Sequence, residues 1–437
     1  MPLVIGLLAV LGGLGALIAG RIFVRRRPAS VGPLAPSDCQ AYVERLAAMD
    51  GVGKHEMAIA FAESSATNVE PLLHGTRYFP RMLEDIARAT SSISLLIYGW
   101  KPGEVGTLFR DALVAKVKEG VEVRVAVDGI GSEIRLAARD FYRELVEAGL
   151  PIVSNEGLWP DLEGPLGGVR FVDRRFDDLL HFDHRKMMVV DGRVAYVGGS
   201  GIEDHFNDER FYDVMARMEG PVVAQLQTVF LATWRFQGGP LPTGDGSLAH
   251  LYPALADPAP DGAPATVLMN DPGYGYYPIS DAIEAAIDGA RHRIDIVNPY
   301  IADRGIIDRL VKAAERGVAV RIICPGKPTP PQAAAAFRHH YPRLLAAGVR
   351  ILAHPQLAHA KVTRADDIVM IGGCNLDALS LYKNWELNIE FRDARVAEAV
   401  ERDIFDPFEA MSTPAEASRT PLRRLYDRAM NLASPLL

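Results

Sequence analysis

HRKMMVVDGRVAYVGGS, residues 184 to 200, and HAKVTRADDIVMIGGCN, residues 359 to 375, are one pattern written twice. Each holds His-x-Lys, four further residues and an Asp. The first copy supplies His184, Lys186 and Asp191, and the second His359, Lys361 and Asp366. A glycine pair closes each copy, in Val197 to Ser200 and in Ile371 to Asn375. A carboxylate among apolar residues follows at similar distance: Asp213 in FYDVMARMEG and Glu386 in NWELNIEFRD. One such spacing arises easily by chance in a long chain, but two with matching surroundings do not.

Those residue types suit attack on a phosphodiester. The substrate is anionic, and cations must neutralise the charge that grows on its non-bridging oxygens. Two lysines provide that charge. An imidazole titrates near neutrality, so one histidine can attack while the other protonates the leaving oxygen. A carboxylate on the far ring nitrogen fixes the tautomer and stabilises the imidazolium. On this reading Asp213 orients His184 and Glu386 orients His359, and neither half is a complete site. The sequence holds no metal motif, and this chemistry requires none.

Outward from the motifs the chain reads as an internal repeat. Tyr78-Phe79-Pro80 opens one half and Tyr276-Tyr277-Pro278 the other. Each continues with a helical segment (MLEDIARA; ISDAIEAAID), an apolar strand (ISLLIYGW; IDIVNPYI) and a second amphipathic helix. Strands VEVRVAVDG and VAVRIICPG follow. Strands alternating with helices predict parallel pairing and a sheet covered on both faces. Asp191-Gly192 is a hairpin dipeptide, so HRKMMVVD and AYVGG read as adjacent strands. Asp191 and Asp366 are expected to support this local structure.

The paired motifs resemble the phospholipase D superfamily, and the flanking text is similar to its bacterial cardiolipin synthase branch. The stretches that carry the likeness include YFPRMLEDIARATSSISLLIYGW (78 to 100), NPYIADRGIIDRLVKAAERGVAVRIICPGK (298 to 327) and GGCNLDALSLYKNWELNIEF (372 to 391). The likeness covers roughly residues 65 to 410 and extends to the Ser-Pro-Leu-Leu ending after Ala433. It implies two pseudo-symmetric α/β/α lobes sharing one active site, with both histidines brought together. It further implies transfer of a phosphatidyl group from one phosphatidylglycerol to another through a phosphohistidine on His184, giving cardiolipin and glycerol. A hydrolase using water as acceptor is the alternative; a nuclease or an inactive membrane scaffold ranks below it. Two departures stand out. Gly199 and Gly373 occupy the position where the family usually has Ser in at least one half, and Gly201 replaces an Asn that Asn375 retains. Asn375 and Ser200 are therefore the candidates for holding the phosphate.

Composition sets the remaining bounds. The chain has 437 residues, of which about half are hydrophobic and a quarter charged, enough for several units with a large core. A net charge of -8 argues against a dedicated nucleic-acid binder. Three scattered cysteines fit neither a disulfide framework nor a zinc site and suit a reducing compartment.

From Pro2 to Gly20 no residue is charged, and Arg21, Arg25, Arg26 and Arg27 follow. About twenty apolar residues span a bilayer core, and arginines on the C-terminal side place the rest in the cytoplasm. The expected division is a transmembrane anchor with basic flank (1–27), a connecting segment (28–66), a first lobe (67–237), a linker rich in Gly and Pro (238–264), a second lobe (265–412) and a tail (413–437). Phospholipids and the membrane are the expected partners, and the cell membrane the location. The tail's PLRRLYDRAMNL reads equally as a lipid-surface helix and as a terminal helix docked on the domain. His205 is a candidate for lining the cleft, and His339-His340 read as solvated.

Overall fold

A computed structural model describes residues 32–134, 137–155, 182–256, 259–327, 330–415 and 420–434. The apolar Pro2–Gly20 run lies outside them. Among the described residues no helix is long and apolar enough to cross a membrane.

Each half of the sequence builds the same run of eight strands, to which the second half adds β17. In the first half these are β1 (Ser64–Leu73), β2 (Ser92–Ile97), β3 (Glu122–Val127), β4 (Ile152–Ser154), β5 (Met187–Val190), β6 (Val194–Gly198), β7 (Phe211–Tyr212) and β8 (Val214–Glu219). The second half holds β9 (Ala263–Asn270), β10 (Arg293–Val297), β11 (Ala319–Pro325), β12 (Arg350–His354), β13 (Leu357–Ala358), β14 (Val362–Ala365), β15 (Ile368–Gly372), β16 (Glu386–Arg392) and β17 (Thr413–Pro414). Fifteen of them form one sheet in the order β17-β12-β11-β10-β14-β15-β16-β9-β1-β8-β6-β5-β2-β3-β4. Outward from the central β9–β1 pair, both directions meet the same sequence of roles, which is the expected pseudo-twofold.

The expectation of parallel pairing holds only for part of each lobe. β2, β3 and β4 pair in parallel, as do β10, β11 and β12, through helical crossovers. The motif hairpins and the strands beyond them pair antiparallel, and β1 meets β9 antiparallel at Ser64–Ala265 and Ala66–Ala263. The reason is local. A turn of three residues, Asp191 to Arg193, can only return the chain antiparallel, so β5–β6 cannot continue the crossover pattern.

Two outer cores lie within the lobes, and a third is shared between them. The shared core centres on the helix Val222–Phe236, whose residues from Val222 to Trp234 are all buried. Its sequence, VVAQLQTVFLATWRF, is apolar nearly all round, as befits a helix with protein on every side. The helix Cys39–Ala47 packs against it through Cys39, Val43, Leu46 and Ala47, and Gln225 Nε2 donates to Leu34 O and Ala62 O. The segment before β1 is thus part of the core. Each large apolar side chain buried this way stabilises the joined lobes by about 1.5–3 kcal/mol.

Candidate active site

The turn between β5 and β6 places Asp191 at φ 52° and Gly192 at φ 61°, the backbone of a tight hairpin turn. The Asp191 carboxylate accepts the N–H groups of Thr90, Ser91 and Ser92 at 2.9, 2.8 and 2.9 Å. Asp366, also at φ 52°, accepts those of Arg291, His292 and Arg293 at 2.8, 3.0 and 2.9 Å. Both aspartates therefore tie the motif hairpin to the start of the neighbouring strand. Seven residues of extended chain separate His184 from Asp191, roughly 20 Å, so the carboxylate is at the opposite end from the imidazole.

At the other end the two lobes exchange backbone hydrogen bonds. β13 pairs in parallel with β7, and Asp183 bridges in parallel to Trp385. His359 N donates to Tyr212 O at 2.7 Å, and His184 N donates to Trp385 O at 3.0 Å. Each histidine is thereby registered one residue from an acid of the other lobe. His359 Nδ1 lies 2.6 Å from Asp213 Oδ2, and His184 Nδ1 lies 2.8 Å from Glu386 Oε1.

This overturns the expected assignment, in which each acid served the histidine of its own half. The pairs are crossed: Asp213 orients His359 and Glu386 orients His184. Similar sequence spacing pointed to partners within a repeat, whereas the parallel pairing across the interface sets the actual partners. Neither half being complete is retained, in a stronger form.

The glycine pairs sit where the acids approach. A Cβ on Gly199 would lie 2.5 Å from an Asp213 carboxylate oxygen and 2.9 Å from Lys361 Cδ. On Gly373 it would lie 3.1 Å from Glu386 Oε2 and from His184 O. A serine at either position would press on these acids, which accounts for the first departure. Gly201 is also closed to a side chain, because a Cβ there would lie 2.9 Å from the backbone oxygen of Gly99.

Lys186 Nζ donates to His184 O at 2.5 Å and stands over the Tyr98 ring, 4.7 Å from its centroid. Lys361 Nζ lies 3.5 Å from Asp213 Oδ2 and 3.2 Å from His359 Nε2. Burial, reinforced by repulsion from both ammonium groups, pushes the His184 and His359 imidazoles down, His359 to about 3. Burial also lowers both lysines, Lys186 to about 7. The acids diverge. Burial pushes Glu386 up to about 8 despite Lys186 nearby. Burial acts on Asp213 in the same direction, but Lys361 and the His359 hydrogen bond outweigh it and hold Asp213 below the ordinary carboxylate range.

The other candidates fall in different places. Asn375 is buried and its Oδ1 has no protein partner among the described residues, as a group awaiting a ligand would be. Ser200 is buried too, but its hydroxyl accepts from Tyr78 and donates to Gly201 O, both at 2.8 Å, so it holds the turn. The His205 ring lies tilted against Phe211, 4.2 Å between centroids, and Phe211 lies 5.8 Å from the His359 ring, so His205 stands one aromatic ring away from that imidazole. His340 is half-buried rather than solvated, with Nε2 2.7 Å from Asn431 Oδ1.

Sequence reasoning missed Tyr98, whose ring packs edge-on to His184 at 4.7 Å, and the buried Asp377, pushed up to about 7 by burial. It also missed Asp128, which accepts the Asp183 N–H at 2.9 Å and an Asn155 amide at 2.6 Å beside the first motif. Tyr98 and Asp128 each follow the carboxyl end of a parallel strand, where sites of α/β sheets gather, and that position was the available signal.

Comparison with known proteins agrees with this geometry. A family model described as "Cardiolipin synthase, PLD-like domain" matches residues 82–234 and 283–406. The chain is 31% identical to Cardiolipin synthase 2 of Bacillus anthracis over 387 residues, covering 86% of this chain and 71% of that protein. It is also 31% identical to the Major cardiolipin synthase ClsA of Bacillus subtilis (strain 168), over 77% of this chain and 67% of that one. Among solved structures, the phosphatidylserine synthase of Haemophilus influenzae Rd KW20 has the same fold, with a TM-score of 0.65 at 15% identity. That match covers 92% of this chain and all of that one.

Proposed function

Because this chain belongs to the cardiolipin synthase-like branch of the phospholipase D superfamily, and is a phosphatidyltransferase enzyme of it, we propose that it converts two phosphatidylglycerols to cardiolipin and glycerol. His184 Nε2 attacks the phosphorus of the donor, and the bond from phosphorus to the glycerol oxygen breaks. His359 gives that oxygen its proton, so glycerol leaves neutral and the phosphatidyl group stays on His184. A hydroxyl of the second phosphatidylglycerol then loses its proton to His359 and displaces His184, forming cardiolipin. The two lysines neutralise the non-bridging oxygens throughout.

The observation that carries this reading is the crossed pairing, which sets both imidazoles and both lysines at one buried junction. The inequality of the acids supports the division of labour. An ionised Asp213, joined by the negative charge of the bound phosphodiester, opposes the downward push of burial on His359, so His359 takes up its proton as the anionic donor binds and suits the acid and base. Glu386, pushed up to about 8, orients His184 while contributing less charge, which suits a neutral nucleophile. The uncharged Pro2–Gly20 run and its flanking arginines support a single-pass anchor with both lobes on the cytoplasmic side.

Incubation with phosphatidylglycerol in mixed micelles, followed by lipid separation, tests the reaction. Cardiolipin with equimolar glycerol is expected. Phosphatidic acid as the main product would make the protein a hydrolase and overturn the proposal.

A further inference from the structure

The helix Pro421–Leu432 is seated on the second lobe by one face. Asp427 Oδ1 accepts from Arg338 at 3.0 Å, and Asn431 O accepts from Arg304 at 3.0 Å. Met430 packs against Ala302, Ala335 and Ala336. The opposite face carries Leu422, Leu425, Tyr426 and Leu432, which are 78%, 65%, 42% and 60% exposed. At 3.6 residues per turn these four make a stripe about 120° wide. Arg428 is exposed along its flank, and Arg423 and Arg424 are exposed at the first turn of the helix. The one acid of the helix is Asp427, which is buried and turned inward to Arg338.

A helix capping a soluble domain shows the reverse arrangement, with its large apolar side chains on the docked face. Here the outward face is apolar and cationic and has no exposed acid. We propose that this face is a contact for an anionic lipid surface, with the leucines entering the acyl boundary and the arginines reaching the phosphates. A second copy of this chain fits it poorly, because a twofold contact would bring two sets of arginines together.

The seat of the helix gives the contact a direction. Ala302 N and Asp303 N both donate to Leu376 O, and Leu376 follows Asn375. Arg304 opens the helix that leaves the carboxyl end of β10. The outward face therefore belongs to the end of the second lobe that carries His359 and Asn375. A bilayer held there lies beside the cleft rather than behind the sheet. This inference does not rest on the reaction proposed above.

The test places a fluorophore on the full chain in nanodiscs. Cys39, Cys324 and Cys374 are buried, so L425C presents the accessible thiol for a bimane label. R88C, on an exposed residue at the far end of the first lobe, is the control. Brominated acyl chains in a phosphatidylserine–phosphatidylcholine bilayer should quench the label at 425 several-fold and leave that at 88 bright. R423Q/R424Q/R428Q should lower the contact equilibrium roughly 10²-fold. Equal quenching at both positions, or none at 425, would overturn the proposal. Protection of the 425 label that needs no lipid and grows with protein concentration would assign the face to a second copy instead.

Discussion

The two lobes share strand order, motif spacing and even the left-handed backbone of Asp191 and Asp366, yet they present unlike acids to the site. The first lobe sends out Asp213, which Lys361 and His359 keep ionised. From the second comes Glu386, which burial raises to about 8. Each acid serves the opposite lobe's histidine, so the difference between lobes becomes a difference between the two imidazoles. On the proposed reaction, a duplicated motif at one junction thus separates into an acid-base and a nucleophile without any change in its own residues.

The sharpest attempt to break that comparison uses the histidines. H184A and H359A should each lower turnover of phosphatidylglycerol by about 10³-fold or more. With a p-nitrophenyl phosphodiester, whose leaving group needs no proton, H359A should still release a burst of nitrophenol and H184A none. A burst from H184A instead would exchange the two roles.

The acids should separate by pH. Asp213 is ionised throughout the working range, so D213N should lose about 10²–10⁴-fold at every pH. Glu386 is neutral below about 8 and ionised above it. E386Q should therefore resemble the parent near pH 6 and fall behind it, by about tenfold, as pH rises past 8. Parallel pH profiles for the two variants would remove the electrostatic difference between lobes.

The smallest effect on catalysis is expected where the lobes are most alike. D191N and D366N each set an amide NH₂ against a backbone N–H donor. Each should lower unfolding free energy by about 1–3 kcal/mol and leave turnover per folded molecule within about twofold. Urea unfolding and active-site titration check both figures. A large loss of turnover in one variant alone would show that its hairpin positions the histidine as well as holding the fold.

The doubled motif was legible because it is local: His184, Lys186 and Asp191 lie within eight residues, and strand and turn signals frame them. The repeat was legible for the same reason, since helix and strand periodicity recur on both sides of the linker. The departure from Ser at Gly199 and Gly373 acquired a cause only from the approach of Asp213 and Glu386. The engagement of the Ser200 hydroxyl by Tyr78 was not legible, because Tyr78 lies more than a hundred residues away in the chain.

The sequence by itself determined the family, the α/β repeat and the chemical groups of the site, because those reside in residue types and short spacings. Only the tertiary structure decided which acid meets which histidine. That choice is made by parallel backbone pairing across the lobe interface, at Tyr212 with His359 and Trp385 with His184. No property of either half alone encodes that register. It exists once the shared core around Val222–Phe236 has brought the halves together.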